Sequence, residues 1–308
     1  MTITEMTATE YETLFSSGHV YNSVSFAMLN AAKAEAVRCL AIGDHKHRFG
    51  IILGERGDRL MSPFSAPFGG FDMRGVQALN NMDEAVRQLA DYARRSGKKL
   101  SVTLPPLIYG ESQISKWVSA FLRNGFRPTV DLNYYFPLSH FPDYTEHIDR
   151  SARKNLNRSL KEPFVFRKID SEDKEAVRRV YEVIRCNREE HGYPLRMSFS
   201  QVWDTVQNVV TADFFLLGYE GEDVAAAQVF HVAPGIAQVI YWGDKRKYSG
   251  LRPMNCLTYN VFRHYSDAGL RILDIGPSTE DGVPNYGLCE FKENIGCGIS
   301  LKYRFEIW

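Results

Sequence analysis

Phe121-Leu-Arg-Asn-Gly125 and Phe291-Lys-Glu-Asn-Ile-Gly296 are two similar helix endings in one chain, and a β-rich run follows each of them. Working outward from these endings, the residues before them also follow one pattern. Over 37–136 and again over 213–308, the hydrophobic periodicity predicts three strands, a helix, a strand, a helix and a final strand. An internal repeat of this length predicts two copies of one α/β unit.

The repeat predicts an α/β (α+β) fold of two tandem units, each a mixed, mostly antiparallel sheet flanked by helices. We place the N-terminal domain at 1–142 and the C-terminal domain at 143–308. Residues 143–161 are predicted to connect the two copies through a basic helix. Two-domain architecture suits a chain of 308 residues, since each unit is then large enough to bury its own core.

Three helix predictions lie outside the repeated pattern or at its start. One covers residues 23–35, and Ser171 is expected to cap another. The third covers 147–161, where apolar residues share one side of the helix and cations share the other. The cations are Arg150, Lys154, Arg158 and Lys161.

The composition is that of a globular protein without a global charge preference. Lys and Arg number 37 and Asp and Glu number 37, so any attraction for nucleic acid or anionic membrane must be local. The N-terminus has no basic region followed by an apolar run, and no stretch is long enough to span a membrane. Five scattered cysteines are typical of reduced thiols, and we expect a cytoplasmic protein.

Three segments carry a resemblance to a known group of enzymes. They are residues 62–71 (Ser-Pro-Phe-Ser-Ala-Pro-Phe-Gly-Gly-Phe), residues 274–281 (Asp-Ile-Gly-Pro-Ser-Thr-Glu-Asp), and Tyr286-Gly-Leu-Cys-Glu-Phe-Lys292 followed by Gly296. With the element order, they resemble the GNAT acyltransferase core. Two such cores in tandem are similar to the FemAB-like family, the Fem-type peptidoglycan aminoacyltransferases and their relatives. The resemblance implies an acyl-CoA or aminoacyl-tRNA donor and an amine or hydroxyl acceptor.

The resemblance also implies a loop whose backbone N–H groups hold the pyrophosphate of CoA, with the pattern Arg/Gln-x-x-Gly-x-Gly/Ala. The nearest match is Lys247-Tyr-Ser-Gly250-Leu-Arg252, in which an arginine replaces the last small residue and Pro253 lacks an N–H. The start of the following helix favours an anion, and Lys247, Gly250, Arg252 and Asn255 are the predicted cofactor-binding residues. The alternative is an ordinary turn and cap.

Further cofactor contacts are predicted just before this loop. Backbone N–H groups of Trp242, Gly243 and Asp244 would polarise the acyl carbonyl, as oxyanion donors do. They lie where we expect the third and fourth strands of the second unit to separate.

Four residues are candidate catalytic groups. The resemblance implies that Tyr286 protonates the leaving thiolate, and the alternative is a tyrosine packed over the core. Asp274, Glu280 or Asp281 could act as the base that removes a proton from the attacking amine. The alternative for these carboxylates is turn chemistry, because they lie in or beside a polar turn.

The predicted acceptor contacts are Phe64, Phe68, Gly69, Gly70, Phe71 and Lys292. The glycines permit close backbone approach and the phenylalanines supply an apolar wall, although an irregular packed loop explains them equally. Lys292 would meet a carboxylate or phosphate, and its alternative is an exposed lysine. The basic helix could contact tRNA or an anionic acceptor, or form a solvated face. No metal-ligand spacing is present.

These observations predict an acyltransferase that moves an acyl or aminoacyl group to a small-molecule or peptide amine by direct attack. Acyl-CoA is favoured over aminoacyl-tRNA as donor because the net charge is zero and the sequence lacks the helical-hairpin insertion that some tRNA-using enzymes of the family it resembles carry. The alternative is a catalytically degenerate repeat that acts as a ligand-binding or scaffold protein. The acceptor, the acyl group and the oligomeric state stay open.

Overall fold

A computed structural model describes all residues from Met1 to Trp308. The chain forms two compact units, and each is assembled from separate stretches. Unit 1 comprises Met1–Leu132, Glu280–Val283 and Ser300–Trp308. Unit 2 comprises Asn133–Thr279 and Pro284–Ile299. The predicted boundary after residue 142 divides the chain once, whereas the chain passes between the compact units at several points.

The first repeat supplies seven strands and four helices. In chain order they are β1 (Thr2–Met6), α1 (Ala8–Leu14), α2 (Val24–Leu29), β2 (Ala36–Gly43), β3 (His47–Arg56), β4 (Arg59–Ser62), β5 (Phe71–Met73), α3 (Leu79–Arg95), β6 (Lys99–Thr103), α4 (Glu111–Arg123) and β7 (Arg127–Pro137). Among them, β2, β3, β4, α3, β6, α4 and β7 follow the predicted order.

The second repeat follows with the same core order. Its elements are α5 (Arg150–Ser159), β8 (Val165–Ile169), α6 (Lys174–His191), α7 (Phe199–Asn208), β9 (Ala212–Tyr219), β10 (Glu222–Ala233), β11 (Ile236–Asp244), α8 (Pro253–Asp267), β12 (Ile272–Pro277), β13 (Thr279–Glu280), β14 (Val283–Pro284), α9 (Tyr286–Asn294) and β15 (Gly298–Ile307).

Each unit is built on a mostly antiparallel sheet, which confirms the predicted fold class. The strand order is β1-β2-β3-β4-β6-β15 in unit 1 and β7-β12-β11-β10-β9-β8 in unit 2. Each sheet has one parallel pair, β4 with β6 and β11 with β12. A helix connects the strands of each parallel pair, α3 in the first repeat and α8 in the second, as a parallel connection requires.

The last strand of each repeat completes the sheet of the other unit. Residues 133–137 of β7 pair with β12 of unit 2, from Asn133 opposite Pro277 to Pro137 opposite Ile272. Residues 304–307 of β15 pair in turn with β6 of unit 1. The pairing of β15 with β6 explains why Ser300–Trp308 belongs to unit 1, whereas unit 2 is interrupted only at Glu280–Val283, which also belongs to unit 1.

The apolar faces found in the sequence form the cores. In unit 1, Met82, Val86 and Leu89 of α3 pack with Phe121 of α4 against the sheet, and all four side chains are buried. In unit 2, α6 buries Val177, Val180, Val183 and Ile184. All five cysteines are free, and Cys39, Cys256 and Cys289 are buried.

Several predicted helix limits are wrong for local reasons. The helix predicted over 23–35 ends at Leu29, where Asn30 caps it and bonds back to the carbonyl of Phe26. The basic helix begins at Arg150 because the Asp149 carboxylate caps it through the Ser151 N–H. Asp173, rather than Ser171, caps α6. The pattern gave no indication of β1, α1 or α7.

Candidate functional site

The two parallel strands of unit 2 part from each other after the first three residues of β11, and their separation was predicted. Pairing of β11 with β12 covers only Ile236–Gln238 on the β11 side and ends at Asp274 on the other. β11 continues to Asp244 beside β10, and a register shift opposite Gln228 interrupts that ladder. Residues 239–244 therefore present an edge of β11 that is not paired with β12, the type of place where sheets of this kind bind ligands.

Asp274 lies at the point of separation and is fully buried. Its carboxylate accepts hydrogen bonds from the amides of Asn133 and Gln238, at 2.7 Å each, and from the Gly276 N–H at 2.9 Å. These contacts connect β7, β11 and β12. The role of Asp274 as a general base stays a prediction, and in this structure the carboxylate has no exposed surface.

Lys292 of α9 is buried beside the end of β12, which corrects the expectation of an exposed lysine. Its side chain is 2% exposed, and its ammonium donates to the carbonyl oxygens of residues 275–277 at 2.8–3.1 Å. The Tyr134 ring lies 5.3 Å away. Burial lowers the pKa of Lys292 to about 8, although nearby Cys297 and Asp274 oppose the shift. Three carbonyls therefore take the place of the predicted carboxylate or phosphate.

A groove of about 240 Å³ opens at the start of α8, and we call it the donor groove. It contains three of the predicted cofactor residues, Asp244, Arg252 and Asn255. Contributions from α5 and α9 were not expected from the sequence, since nothing local marks these side chains as neighbours. They are Ser151, Ala152, Asn155, Phe291, Asn294 and Ile295.

The other predicted cofactor residues do not line this groove. The Trp242 ring lies 6.2 Å from the ring of Phe291. Gly243 packs so closely on Asn187 that a Cβ would collide with that side chain. Lys247 pairs with Glu222 at 2.9 Å, and Gly250 is exposed in the same 3₁₀ turn, Arg246–Leu251.

The loop before α8 is closed by its own hydrogen bonds. The N–H groups of Tyr248, Arg252 and Asn255 each donate to a carbonyl oxygen three residues earlier. Arg252 has a left-handed backbone, with φ of 62°, at the position where the pyrophosphate-binding pattern has a small residue. The loop thus offers few free amides, and positive charge reaches the groove from the Arg252 side chain and the start of α8.

The remaining candidate catalytic residues fall into different units. Tyr286 is the first residue of α9 in unit 2 and is 79% exposed. Glu280 and Asp281 belong to unit 1, where Asp281 pairs with Arg304 at 2.6 Å. Within one unit the structure brings together Asp274 and Lys292, while the roles of the other three stay predictions.

The predicted acceptor loop of unit 1 is mostly packed. Phe68 is fully buried among the rings of His19, Tyr21 and Tyr109, at 4.7–5.0 Å between ring centres. Phe71 stacks on a tryptophan of α4, Phe64 lies against Gly54, and Gly69 and Gly70 are buried. Phe68 therefore has no surface with which to contact an acceptor, and the loop's acceptor role stays a prediction.

Helix α5 presents cations that have no partner in the structure, and we call this surface the basic face. Arg150, Arg153, Lys154, Arg158 and Lys161 are exposed and line one shallow surface with Asn157. Neither an ion pair nor a side-chain hydrogen bond involves them, although arginines elsewhere, such as Arg123 and Arg185, pair with acids. Neighbouring like charges destabilise a helix, so the accumulation requires an explanation beyond solubility.

The structure offers no candidate metal centre or membrane segment. No cluster of three or more His, Cys, Asp or Glu side chains could hold a metal ion. None of the helices combines the length and apolar character that crossing a bilayer requires.

Comparison with known proteins gives similarity in structure but not in sequence. No protein-family model matches the sequence, and no curated protein is significantly similar to it. The structure is similar to the crystal structure of FemX, with a TM-score of 0.68 and 14% identity over 99% of this chain and 97% of that one. It is also similar to L-PGS from Bacillus licheniformis, with a TM-score of 0.63 and 13% identity over 97% and 90% of the two chains.

A third similar structure is a tandem GNAT protein from the clavulanic acid biosynthesis pathway, solved without AcCoA. Its TM-score is 0.55 and its identity 10%, over 99% of this chain and 97% of that one. These likenesses confirm the predicted tandem GNAT-type, FemAB-like fold. At 10–14% identity they establish the fold, and the chemistry must be argued from the residues of this chain.

Proposed function

We propose that the protein transfers an acyl or aminoacyl group to an amine, with the acyl donor bound in the donor groove of unit 2. The observation that carries this proposal is the separation of β11 from β12 beside the start of α8. The donor groove at this place is lined by the end of the open edge of β11 and by α5, the helix that also carries the basic face. The likeness of the fold to FemX and to a tandem GNAT protein supports the same class of reaction.

Direct attack by the amine accounts for the reaction without a covalent enzyme intermediate. The amine lone pair forms a C–N bond to the donor carbonyl, and the bond from that carbon to the donor's sulfur or oxygen breaks. The amine loses one proton and the leaving thiolate or alkoxide gains one. Backbone N–H groups of residues 242–244 would stabilise the negative charge that develops on the carbonyl oxygen.

Two side chains have the chemistry for the proton and positioning steps. Tyr286 is exposed at the start of α9, and its phenol can donate the proton that a leaving thiolate requires. Lys292 instead fixes the three carbonyls at the end of β12, because its three N–H donors are already used there. Lys292 is thus a positioning residue.

The structure shifts the balance between the two classes of donor. The closed loop before α8 leaves few amides for the pyrophosphate of an acyl-CoA. The basic face carries four cations on α5 and Lys161 just after it, which suits a donor with a row of phosphates and favours aminoacyl-tRNA. Acyl-CoA is the second candidate, since the Arg252 side chain and the start of α8 still attract an anion at the donor groove.

Thermal unfolding with CoA, acetyl-CoA and aminoacylated tRNA tests the proposal and separates the donors. A ligand at about 100 times its dissociation constant stabilises a protein by about 2.7 kcal/mol, which raises the melting temperature by several degrees. We expect such a rise with one donor class and its loss in Arg252→Ala. If none of these ligands raised the melting temperature, the result would contradict the proposed enzymatic function and favour a catalytically degenerate repeat.

Charge variants test the basic face. One triple variant removes three cations of the basic face. A matched triple control removes three cations elsewhere that pair with acids on their own helices. The test changes are Arg153→Gln, Lys154→Gln and Arg158→Gln, and the control changes are Arg87→Gln, Arg94→Gln and Arg178→Gln. For a tRNA donor we expect the slope of log Kd against log salt to fall by about two to three in the triple variant only. An equal effect in both variants would mean that α5 is not a specific contact.

A further inference from the structure

Arg188 is the arginine of α6 that has no acidic partner. The other arginines on this helix form ion pairs: Arg178 with Glu175, Arg179 with Asp223, and Arg185 with Glu182 and Glu189. Arg188 contacts aromatic rings instead, with its guanidinium carbon 5.1 Å from the centre of the Tyr241 ring and 5.8 Å from that of Tyr193. Its Nε is buried and has no hydrogen-bond partner.

The charges around Arg188 disfavour a cation. Burial lowers the pKa of its guanidinium, and Arg196 lowers it further. The opposing influences are the two tyrosines, and no carboxylate contributes. Arg188 in turn lowers the pKa of Lys292, so the two cations are near enough to repel each other. A half-buried cation without a counter-ion is costly unless an anion is supplied from outside.

The two aromatic rings beside Arg188 lie on defined parts of unit 2. Tyr241 belongs to the edge of β11 that is not paired with β12, directly before Trp242. The Tyr193 hydroxyl accepts from the Asn285 amide at 3.1 Å, and Asn285 caps α9 directly before Tyr286. Two rings therefore border a guanidinium close to the predicted site of acyl transfer, and a hydrogen bond fixes one of them.

We propose that Arg188 binds a carboxylate or phosphate group of the acyl acceptor, which makes the acceptor an amine that also carries an anion. A guanidinium offers two parallel N–H donors to such a group, and partial burial strengthens the pair. The donor's phosphates have a separate place at α8 and α5, which leaves Arg188 on α6 for the acceptor. The identification of this ligand as the acyl acceptor rests on the proposed function, whereas anion binding at Arg188 does not.

The experiment measures anion binding directly, without turnover. The Nε–H resonance of Arg188, identified by its loss in Arg188→Gln, is followed in protein with ¹⁵N-labelled arginine. The probes are glycylglycine against glycinamide for a carboxylate, and phosphoethanolamine against ethanolamine for a phosphate, at constant ionic strength. We expect a saturable shift with the carboxylate-bearing or the phosphate-bearing amine, and none with the counterpart that lacks this anionic group. No shift with either anionic amine would overturn the proposal.

Variants separate ligand binding from a structural role. Arg188→Lys keeps the charge but loses the paired donors, so we expect affinity to fall by about tenfold or more. Arg188→Gln should lose the thermal stabilisation by the anionic amine while melting no lower than wild type in its absence. Arg185→Gln on the same helix removes an already paired charge and should leave the anion response unchanged.

The contrary results are distinct. A lower melting temperature for Arg188→Gln, with no anion response in wild type, would show that Arg188 only packs on the two tyrosines. An anion response that survives in Arg188→Gln would place the anion elsewhere. Because none of these measurements requires acyl transfer, a failure of the proposed function and a failure of this site are distinguishable.

Discussion

The buried ammonium of Lys292 makes the free energy of unfolding depend on pH in the alkaline range. Replacing Lys292 should remove this dependence. The side chain is 2% exposed and bonded to the carbonyls of residues 275–277. Burial lowers its folded-state pKa from 10.5 to about 8. In the unfolded chain it returns to about 10.4. Lys292→Met deletes this titration while keeping a side chain of similar length.

The sign and size of the effect follow from proton binding. Between the two pKa values the unfolded chain binds more protons than the folded protein, so the free energy of unfolding rises with pH. Each pH unit in this window contributes about 1.4 kcal/mol. Between about pH 7 and about pH 10 the wild type should therefore gain about 2.5 kcal/mol relative to Lys292→Met.

Denaturant unfolding at several pH values, followed by circular dichroism, measures this difference. The other titrating groups are common to both proteins and cancel in the subtraction. Lys46→Met is the matched control because Lys46 is exposed in the turn between β2 and β3, and its curve should run parallel to wild type. If the free energies of unfolding of wild type and Lys292→Met changed with pH in parallel, the account of a buried, destabilised ammonium would be refuted.

Three further expectations concern side chains whose environments are defined. Asp274→Ala should lower the free energy of unfolding by about 3 kcal/mol or more, since three buried donors lose their acceptor, and Asp274→Asn should cost less. Burial raises the pKa of Asp213, but hydrogen bonds from His231 and Lys168 outweigh it and hold it below its ordinary value. The stability advantage of wild type over Asp213→Asn should therefore disappear as pH falls below about 4, as acid denaturation would show. Tyr286→Phe should leave the melting temperature unchanged and slow turnover, whereas unchanged turnover would remove Tyr286 as the acid.

The repeat and its element order could be predicted because both depend on the local periodicity of hydrophobic residues. The helices α3 and α4 keep their apolar faces buried as expected, and α9 begins at Tyr286, where the sequence predicted it. The exchange of β7 and β15 could not be predicted. Which neighbour a strand pairs with depends on long-range packing. The sequence patterns of β7 and β15 are compatible with pairing in either sheet.

The candidate site was predictable where it depended on chain order and not where it depended on side-chain direction. The loop before α8 and the separation of β11 from β12 follow from the order of elements. The sequence could not indicate that Lys292 points inward to three carbonyls or that Phe68 is buried. Nor could it show that Arg188 lacks the acidic partner that its neighbours on α6 have, because adjacent acids in the sequence suggest the opposite.

The exchange of terminal strands has a consequence for how the protein is made. Unit 1 obtains Ser300–Trp308 from the end of the second repeat, so β6 has no β15 beside it until both repeats have been synthesised. During synthesis the nascent first repeat therefore carries an open strand edge, which is a hazard for aggregation. Truncations that remove β15 should for this reason destabilise unit 1. They remove a structural strand from the unit that is translated first.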